Sequence, residues 1–264
     1  MTEHFIITRF NLRKSDWKRD KSRLEVLDDC WLEERIELFL DFCLPSVVNQ
    51  SLRKFKWLVF FEKDSQPNLG RLLGYIDRWA FIEPVFLEGY EDFQLHLPQI
   101  IMERRDWNTE EIITTRLDND DALHREFIKN TQEVLSIAEP DSVLHFPYGY
   151  CLQQGKKNKL ALLHYPLNQF LSLLEKVDKD EPPKTVYSNE HDKWGEGFKI
   201  LSGGNEPRWL QVVHERNMVN NYRGKPVSKN HLKNFPINEQ EFPWYYDVSL
   251  WFRKLVLKTG LFKI

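Results

Sequence analysis

The sequence predicts an α/β fold: a doubly wound, mainly parallel sheet flanked by helices. Three observations predict it. From residue 4 to about residue 140, short apolar runs alternate with stretches of helical spacing, the pattern of successive strand–helix units. One run, Ile112-Ile113-Thr114-Thr115-Arg116-Leu117, ends directly in Asp118-Asn119-Asp120-Asp121, so carboxylates collect at a strand's carboxyl end, where open α/β sheets bind ligands. The regular alternation then stops, so the second half reads as an extension of the same domain.

Taken in order, His4–Phe10 (HFIITRF) is the first strand. Asn11–Arg23 is polar and basic and reads as a solvated loop, with Arg9 and Arg13 near enough to the strand end to meet phosphate. Asp28–Cys43 places Leu32, Ile36, Phe39, Leu40 and Cys43 at helical spacing. Pro45 interrupts it, and a short turn through Val47 and Val48 follows. Lys56–Phe61 (KWLVFF) is the strongest central strand, closed by the polar turn Glu62-Lys63-Asp64-Ser65. Leu69–Trp79 is helical in pattern, Phe81–Phe86 is a third strand, and Phe93–Trp107 is a helix. After the carboxylate-bearing strand, Asp121–Ala138 reads as a helix stopped by Glu139-Pro140. Ser142–Phe146 and Gly149–Gln153 look extended, and Lys159–His164 pairs back across the turn Gln154–Asn158. Asn168–Val177 is expected to be a short helix, Asp178–Lys184 a surface loop, Trp209–Val213 a strand and Glu239–Lys258 a C-terminal helix.

Composition narrows the class. The chain has 264 residues, 41% of them hydrophobic, enough to bury a full core. A net charge of −3 argues against a large phosphate-tracking surface, so nucleic acid is not an expected partner. Cys30, Cys43 and Cys151 are too few and scattered for a disulfide framework or a zinc site. The opening MTEHFIITRF lacks a signal peptide's apolar region, and no run approaches a membrane span. A cytoplasmic location is the expectation. Aromatics reach 14%; most belong to the core, and some suit stacking on a nucleobase or sugar face.

Like charges packed as closely as Asp118, Asp120 and Asp121 are unfavourable unless a cation neutralises them. Oxygen ligands of this kind suit Mg²⁺ or Mn²⁺, which typically carries phosphates on its open positions. The plain alternative is that these residues are turn and cap residues for the following helix, Asp121 above all.

Three stretches then line up: Thr8-Arg9-Phe10-Asn11; Leu44–Leu52 followed by Trp57–Phe61; and Thr115–Ala122. Together they resemble the glycosyltransferases of the GT-A fold, and among those the bacterial family of putative rhamnosyltransferases. The likeness is close over the first 150 residues or so and looser beyond. It implies a mixed, mainly parallel Rossmann-like sheet in a single domain, 1–264. Residues 1–140 would form the nucleotide-sugar-binding half, and 141–264 the acceptor-side half with a C-terminal helix. It also implies a nucleotide-sugar donor, a sugar that is rhamnose by the family's label, and a glycan or lipid-linked glycan acceptor. Asp118 and Asp120 take the Asp-x-Asp positions and Asp64 the position that contacts base or ribose. Thr8, Arg9 and Asn11 would line the nucleotide pocket, with Arg116 and Asp118 beside them. His214, at the end of the Trp209–Val213 strand, is the implied last metal ligand, unless it is a structural histidine. Glu190 or Asp192 is the implied catalytic base. The usual acidic pair is adjacent, however, whereas His191 splits this one, and both could be ordinary surface acids. Tyr187 and Trp194 flank them as a sugar platform or as core.

Two other readings compete. A nucleotidyltransferase shares strand-end carboxylates but normally carries a glycine-rich loop after the first strand, and Asn11–Arg23 has no glycine. A non-catalytic nucleotide-sugar-binding protein would not need both Asp118 and Asp120. Finally, Trp244, Tyr245, Tyr246, Trp251, Phe252, Leu255, Leu257 and Leu261 are interleaved with Arg253, Lys254, Lys258 and Lys263. That pattern suits peripheral contact with the anionic inner face of a plasma membrane, or a helix that packs its aromatics onto the domain.

Overall fold

The computed structural model describes residues 1–14, 29–178, 180–191, 193–195, 197–215 and 220–251. The chain opens with β1 (Thr2–Arg9) and, after the loop, α1 (Asp29–Leu38). A π-helical turn (Phe39–Cys43) leads from α1 into α2 (Leu44–Val48), so the expected break at Pro45 is a change of winding, with Pro45 in the first turn of α2. Next come β2 (Lys56–Glu62), a 3₁₀ stretch (Lys63–Leu69), α3 (Gly70–Ile76), β3 (Ile82–Leu87), α4 (Gly89–Arg104) and β4 (Glu111–Arg116). The second half adds β5 (Ala122–Leu123), α5 (Phe127–Leu135), β6 (Ser142–His145), β7 (Tyr148–Gln153), β8 (Lys159–His164), β9 (Ser172–Lys176), β10 (Lys199–Ser202), β11 (Trp209–Val213) and β12 (Lys225–Pro226).

Seven strands form the main sheet in the order β10-β6-β9-β4-β1-β2-β3. The ladders β1·β2, β1·β4, β2·β3 and β10·β6 are parallel, and among the described strands of this sheet β9 alone runs antiparallel, between β4 and β6. The sheet is therefore mixed and mainly parallel, with helices against its faces. The strand-rich run Lys56–Phe61 lies one place from an edge, and the middle strand is β4, the one that carries the carboxylates. Pro84 sits in the edge strand β3, where a missing N–H does least harm. A second sheet, β12-β8-β7-β11-β5, contains the expected β7·β8 hairpin and brings β11 parallel to β7.

Three expectations change. In the helix expected over Glu239–Lys258, helical structure begins only at Tyr246, and residues 252–258 lie outside the described residues. Asn168–Val177 contains β9, not a helix. The run Ser172–Glu175 is buried throughout, as a strand with helices and strands on every side must be. The helix expected from Asp121 begins only at Phe127, because Ala122 and Leu123 are captured by Leu210 and Trp209 as a short antiparallel pair. From the second half of the chain, β6, β9 and β10 complete the main sheet, so both halves contribute strands to it.

Phe10, Phe39, Trp57 and Phe61 pack with α1–α3 on one face, and Phe5, Phe60 and Phe93 pack with α4 on the other. Within the second sheet Gly149 on β7 lies so close to Trp209 on β11 that a Cβ there would sit 2.1 Å from the indole, which requires glycine.

His4, on β1, is fully enclosed, with its ring nitrogens on Thr115 Oγ1 at 2.7 Å and Gln132 at 3.3 Å. Burial lowers its pKa from 6.5 to about 3. The unfolded chain therefore takes up a proton there below pH 6.5 while the folded chain does not until about pH 3, so folding stability falls as pH drops through that window. His4→Gln should remove this slope: in urea unfolding at pH 7, 6 and 5, the stability gap between wild type and variant narrows toward acid. The limit is about 1.4 kcal/mol per pH unit. A gap that stays constant would show that His4 is not excluded from titration by folding.

Candidate functional site

Parallel pairing of β1, β2 and β4 delivers their carboxyl ends to one edge, so Arg9 and Asp118 meet although more than a hundred positions apart in sequence. Asp118 anchors the first cluster. Its carboxylate accepts from Arg116 Nη2 at 3.2 Å and lies 3.9 Å from Arg9 Nη2. Both guanidinium groups also face the Tyr187 ring, at 5.1 Å for Arg9 and 5.5 Å for Arg116. Burial works against the charge on Arg116, but Asp118 and the surrounding hydroxyls hold its pKa above the ordinary value, so the arginine stays a fixed cation.

Asp120 anchors the second. Its Oδ2 accepts from Arg35 Nη1 at 2.6 Å and lies 3.1 Å from His214 Nε2, although His214 is 94 residues away in sequence. Burial alone would raise the Asp120 carboxyl; Arg35 and then His214 outweigh it and hold the carboxyl far below the usual carboxylate range. Asn119 fixes the turn between the two clusters. Its amide donates to the Phe10 carbonyl and its oxygen accepts from Arg35 at 3.3 Å.

Asp121 is not a helix cap. It is buried, its Oδ1 accepts from the Val212 N–H at 2.9 Å and its Oδ2 from Gln169 at 3.3 Å. Burial, with the neighbouring Asp120 and Asp118 charges, pushes its carboxyl well up. Because Val212 lies two residues before His214, Asp121 ties the carboxylate turn to the strand that presents the imidazole.

The other expected residues occupy less central places. Thr8 does not face the pocket: it is fully buried and its hydroxyl accepts from Trp57 Nε1 at 2.9 Å. Asn11 is also buried; it accepts from the Glu62 N–H and donates to Ser65, bracing the ends of β1 and β2. Asp64 is exposed on the 3₁₀ stretch, 3.4 Å from Arg13 Nη1. Glu190 is exposed with its carboxylate 2.6 Å from Lys193 Nζ, and Asp192 lies outside the described residues. Trp194 is a core residue of the α4 face, whereas Tyr187 is half-buried at the arginine cluster.

Sequence patterning missed Arg35 and Gln169. Arg35 did leave a trace. In Trp31-Leu32-Glu33-Glu34-Arg35-Ile36 it follows the buried Trp31 by four positions, on the inward flank of α1. A basic residue there needs a buried partner. Gln169 left none.

Among the described residues no three His, Cys, Asp or Glu side chains converge as an ion cage. Asp120 and His214 still suit a cation that keeps most positions for phosphate oxygens. Adjacent octahedral ligands about 2.1 Å from Mg²⁺ or Mn²⁺ lie about 3 Å apart, and these donor atoms are 3.1 Å apart. A carboxylate has acceptor capacity for both Arg35 and an ion.

No curated protein matches the chain in sequence. Among solved structures it is similar to S. aureus TarS, with 12% identity and a TM-score of 0.46 over 80% of this chain and 60% of that one. The chain thus spans about 60% of that structure's length. It is similar to the inositol-1-phosphate CTP transferase from T. maritima, with 9% identity and a TM-score of 0.37 over 81% and 90% of the two chains. It is likewise similar to 4-diphosphocytidyl-2C-methyl-D-erythritol synthase from Anaerococcus prevotii, with 13% identity and a TM-score of 0.35 over 95% and 99%. A family model described as "putative rhamnosyl transferase" matches residues 5–226, which takes in most of β1, the Asp118–Asp121 turn and His214. The chain belongs to the putative rhamnosyl transferase family.

Proposed function

We propose that the protein transfers a sugar, rhamnose by the family's description, from a nucleoside-diphosphate donor to a hydroxyl of a glycan or lipid-linked glycan. The observation that carries this reading is the meeting of Asp120 and His214 at 3.1 Å beside the Arg9–Asp118–Arg116 cluster. It places anionic oxygens, an imidazole and fixed cations at the carboxyl edge of a parallel sheet, where a nucleotide is held in folds of this kind. Mg²⁺ or Mn²⁺ would be held by Asp120 and His214, with Asp118 nearby, and would supply counter-charge to the departing diphosphate.

This chain's own groups account for the rest. Arg9 and Arg116, held in place by Asp118 and Tyr187, present positive charge toward phosphate or ribose. Arg35 keeps Asp120 ionised inside the protein. Asp64, beside Arg13, lies at the rim where the base would enter. Glu190 or Asp192 would take the proton from the acceptor hydroxyl as the new glycosidic bond forms. For Glu190 to act, donor or acceptor binding must draw it from Lys193.

The test is product identity. With Mn²⁺ and a panel of nucleotide sugars, the protein should release nucleoside diphosphate and free or transferred sugar. Release of pyrophosphate from a nucleoside triphosphate and a sugar phosphate would instead mark a nucleotidyltransferase. Of Glu190→Gln and Asp192→Asn, one should lower transfer by at least about 10²-fold with donor binding retained. Near-normal rates in both would place the base elsewhere.

A further inference from the structure

A cavity of about 290 Å³ lies on the second sheet, away from the carboxylate turn. Its floor is His124, Tyr150 and Phe235, all buried. Its rim carries Glu206, from the loop before β11, and His231 and Lys233, from the 3₁₀ stretch Lys229–Asn234. These three are exposed. Backbone bonds fix both rim segments to the end of β5. The His124 N–H donates to the Arg208 carbonyl at 2.9 Å, and the Arg125 N–H to the Asn234 carbonyl at 3.0 Å. Phe235 packs edge-to-face with His124 at 5.4 Å and with Tyr150 at 5.7 Å between ring centroids.

The polar atoms of the floor have defined roles. His124 Nδ1 accepts from the Glu126 N–H at 3.1 Å and lies 3.1 Å from Arg208 Nη1. With N–H groups of two residues on Nδ1, the neutral ring carries its proton on Nε2. Burial, and then the Arg208 charge, lower the His124 pKa from 6.5 to about 4, so at neutral pH the ring is an uncharged donor. The Tyr150 hydroxyl is held 3.0 Å from His231 Nδ1.

This chemistry selects a carbohydrate. A sugar ring has a C–H face that packs on aromatic rings, and hydroxyls that both donate and accept. The cavity offers an aromatic floor, donors at His124 and Lys233 and an acceptor at Glu206. A phosphate would meet the Glu206 carboxylate and a neutral imidazole, which argues against an anionic ligand. The volume is at the small end for ligand sites and has room for one or two sugar rings. Along β11 the chain advances roughly 20 Å from Arg208 to His214 at about 3.3 Å per residue, so the cavity stands apart from the strand-end cluster.

We propose that this cavity is a second carbohydrate subsite, holding one or two sugar units of a glycan. A glycan long enough to reach from it to the strand-end cluster would be held at two points, which raises the effective concentration of its reacting end. That consequence rests on the proposed transfer reaction; the binding itself does not and is measured without it. The experiment is ligand-observed saturation-transfer NMR on the full chain, without metal or nucleotide. The probes are methyl glycosides and linear trisaccharides of rhamnose, glucose and N-acetylglucosamine. At least one trisaccharide should bind, with saturation strongest at its ring C–H protons, and excess UDP with Mn²⁺ should leave it bound. The double variant Glu206→Ala/Lys233→Ala, its melting curve unchanged, should bind at least about tenfold more weakly, the scale of losing hydrogen bonds to charged groups. Lys233→Ala alone replaces it if the double variant melts early. Absence of saturation transfer to every probe would overturn the proposal. So would undiminished binding by the variant, or displacement by UDP and Mn²⁺, which would put the sugar in the strand-end cluster.

Discussion

Asp120→Asn is expected to lower release of nucleoside diphosphate from a nucleotide sugar by at least about 10²-fold, the scale of removing one group that stabilises developing charge. The substitution keeps the side chain's shape and removes the anion that meets His214 Nε2 at 3.1 Å and Arg35 Nη1 at 2.6 Å. It also leaves Arg35 enclosed with less compensation, so loss of turnover could reflect loss of fold. Arg35→Met in the same chain removes that stranded charge. The double variant should therefore recover stability and remain as inactive as Asp120→Asn. Turnover that returns with stability would show that Asp120 acts only as a structural counter-ion.

Arg35→Met alone should destabilise the protein by about 3–5 kcal/mol, the scale of removing one partner from a buried ion pair. Only about a tenth of either side chain is exposed, 9% for Arg35 and 12% for Asp120, so water compensates little. Urea unfolding of wild type, both single variants and the double variant gives the coupling directly. The double variant should be more stable than the sum of the single losses predicts, by at least about 1 kcal/mol. Strict additivity would mean that the two residues are neighbours without an energetic bond between them.

These residues show how far the sequence could be read. The parallel strands β1, β2 and β4 were legible because each is an apolar, largely β-branched or aromatic run with a polar turn behind it. β9 was not. Phe170, Leu171, Leu173, Leu174 and Val177 follow a helical spacing, and a strand buried on both faces has no alternation to contradict it. Asp121 was misread for a related reason. Local rules favour an acid before a helix, whereas the folded chain uses it across 91 positions to hold the Val212 N–H. The approach of His214 to Asp120 follows from the family resemblance, since nothing in the local sequence links them. Arg35 belongs to no strand-end motif, and its partner is known only once α1 is laid beside the carboxylate turn. Thr8 and Asn11 sit at the right strand end, yet their side chains turn into the core and the β1–β2 brace.

The most direct test of the account is thermal unfolding with nucleoside diphosphate and Mn²⁺ together. At a ligand concentration about 100-fold above its dissociation constant, one of UDP, GDP or dTDP should add about 2.7 kcal/mol of stability, which for a chain of this size raises the melting temperature by about 5–10 °C. The shift should require both metal and nucleotide and should vanish in the Arg35→Met/Asp120→Asn double variant. A melting curve that none of the three nucleotides moves, with or without Mn²⁺, would contradict the assignment of this strand-end cluster as a metal–diphosphate site.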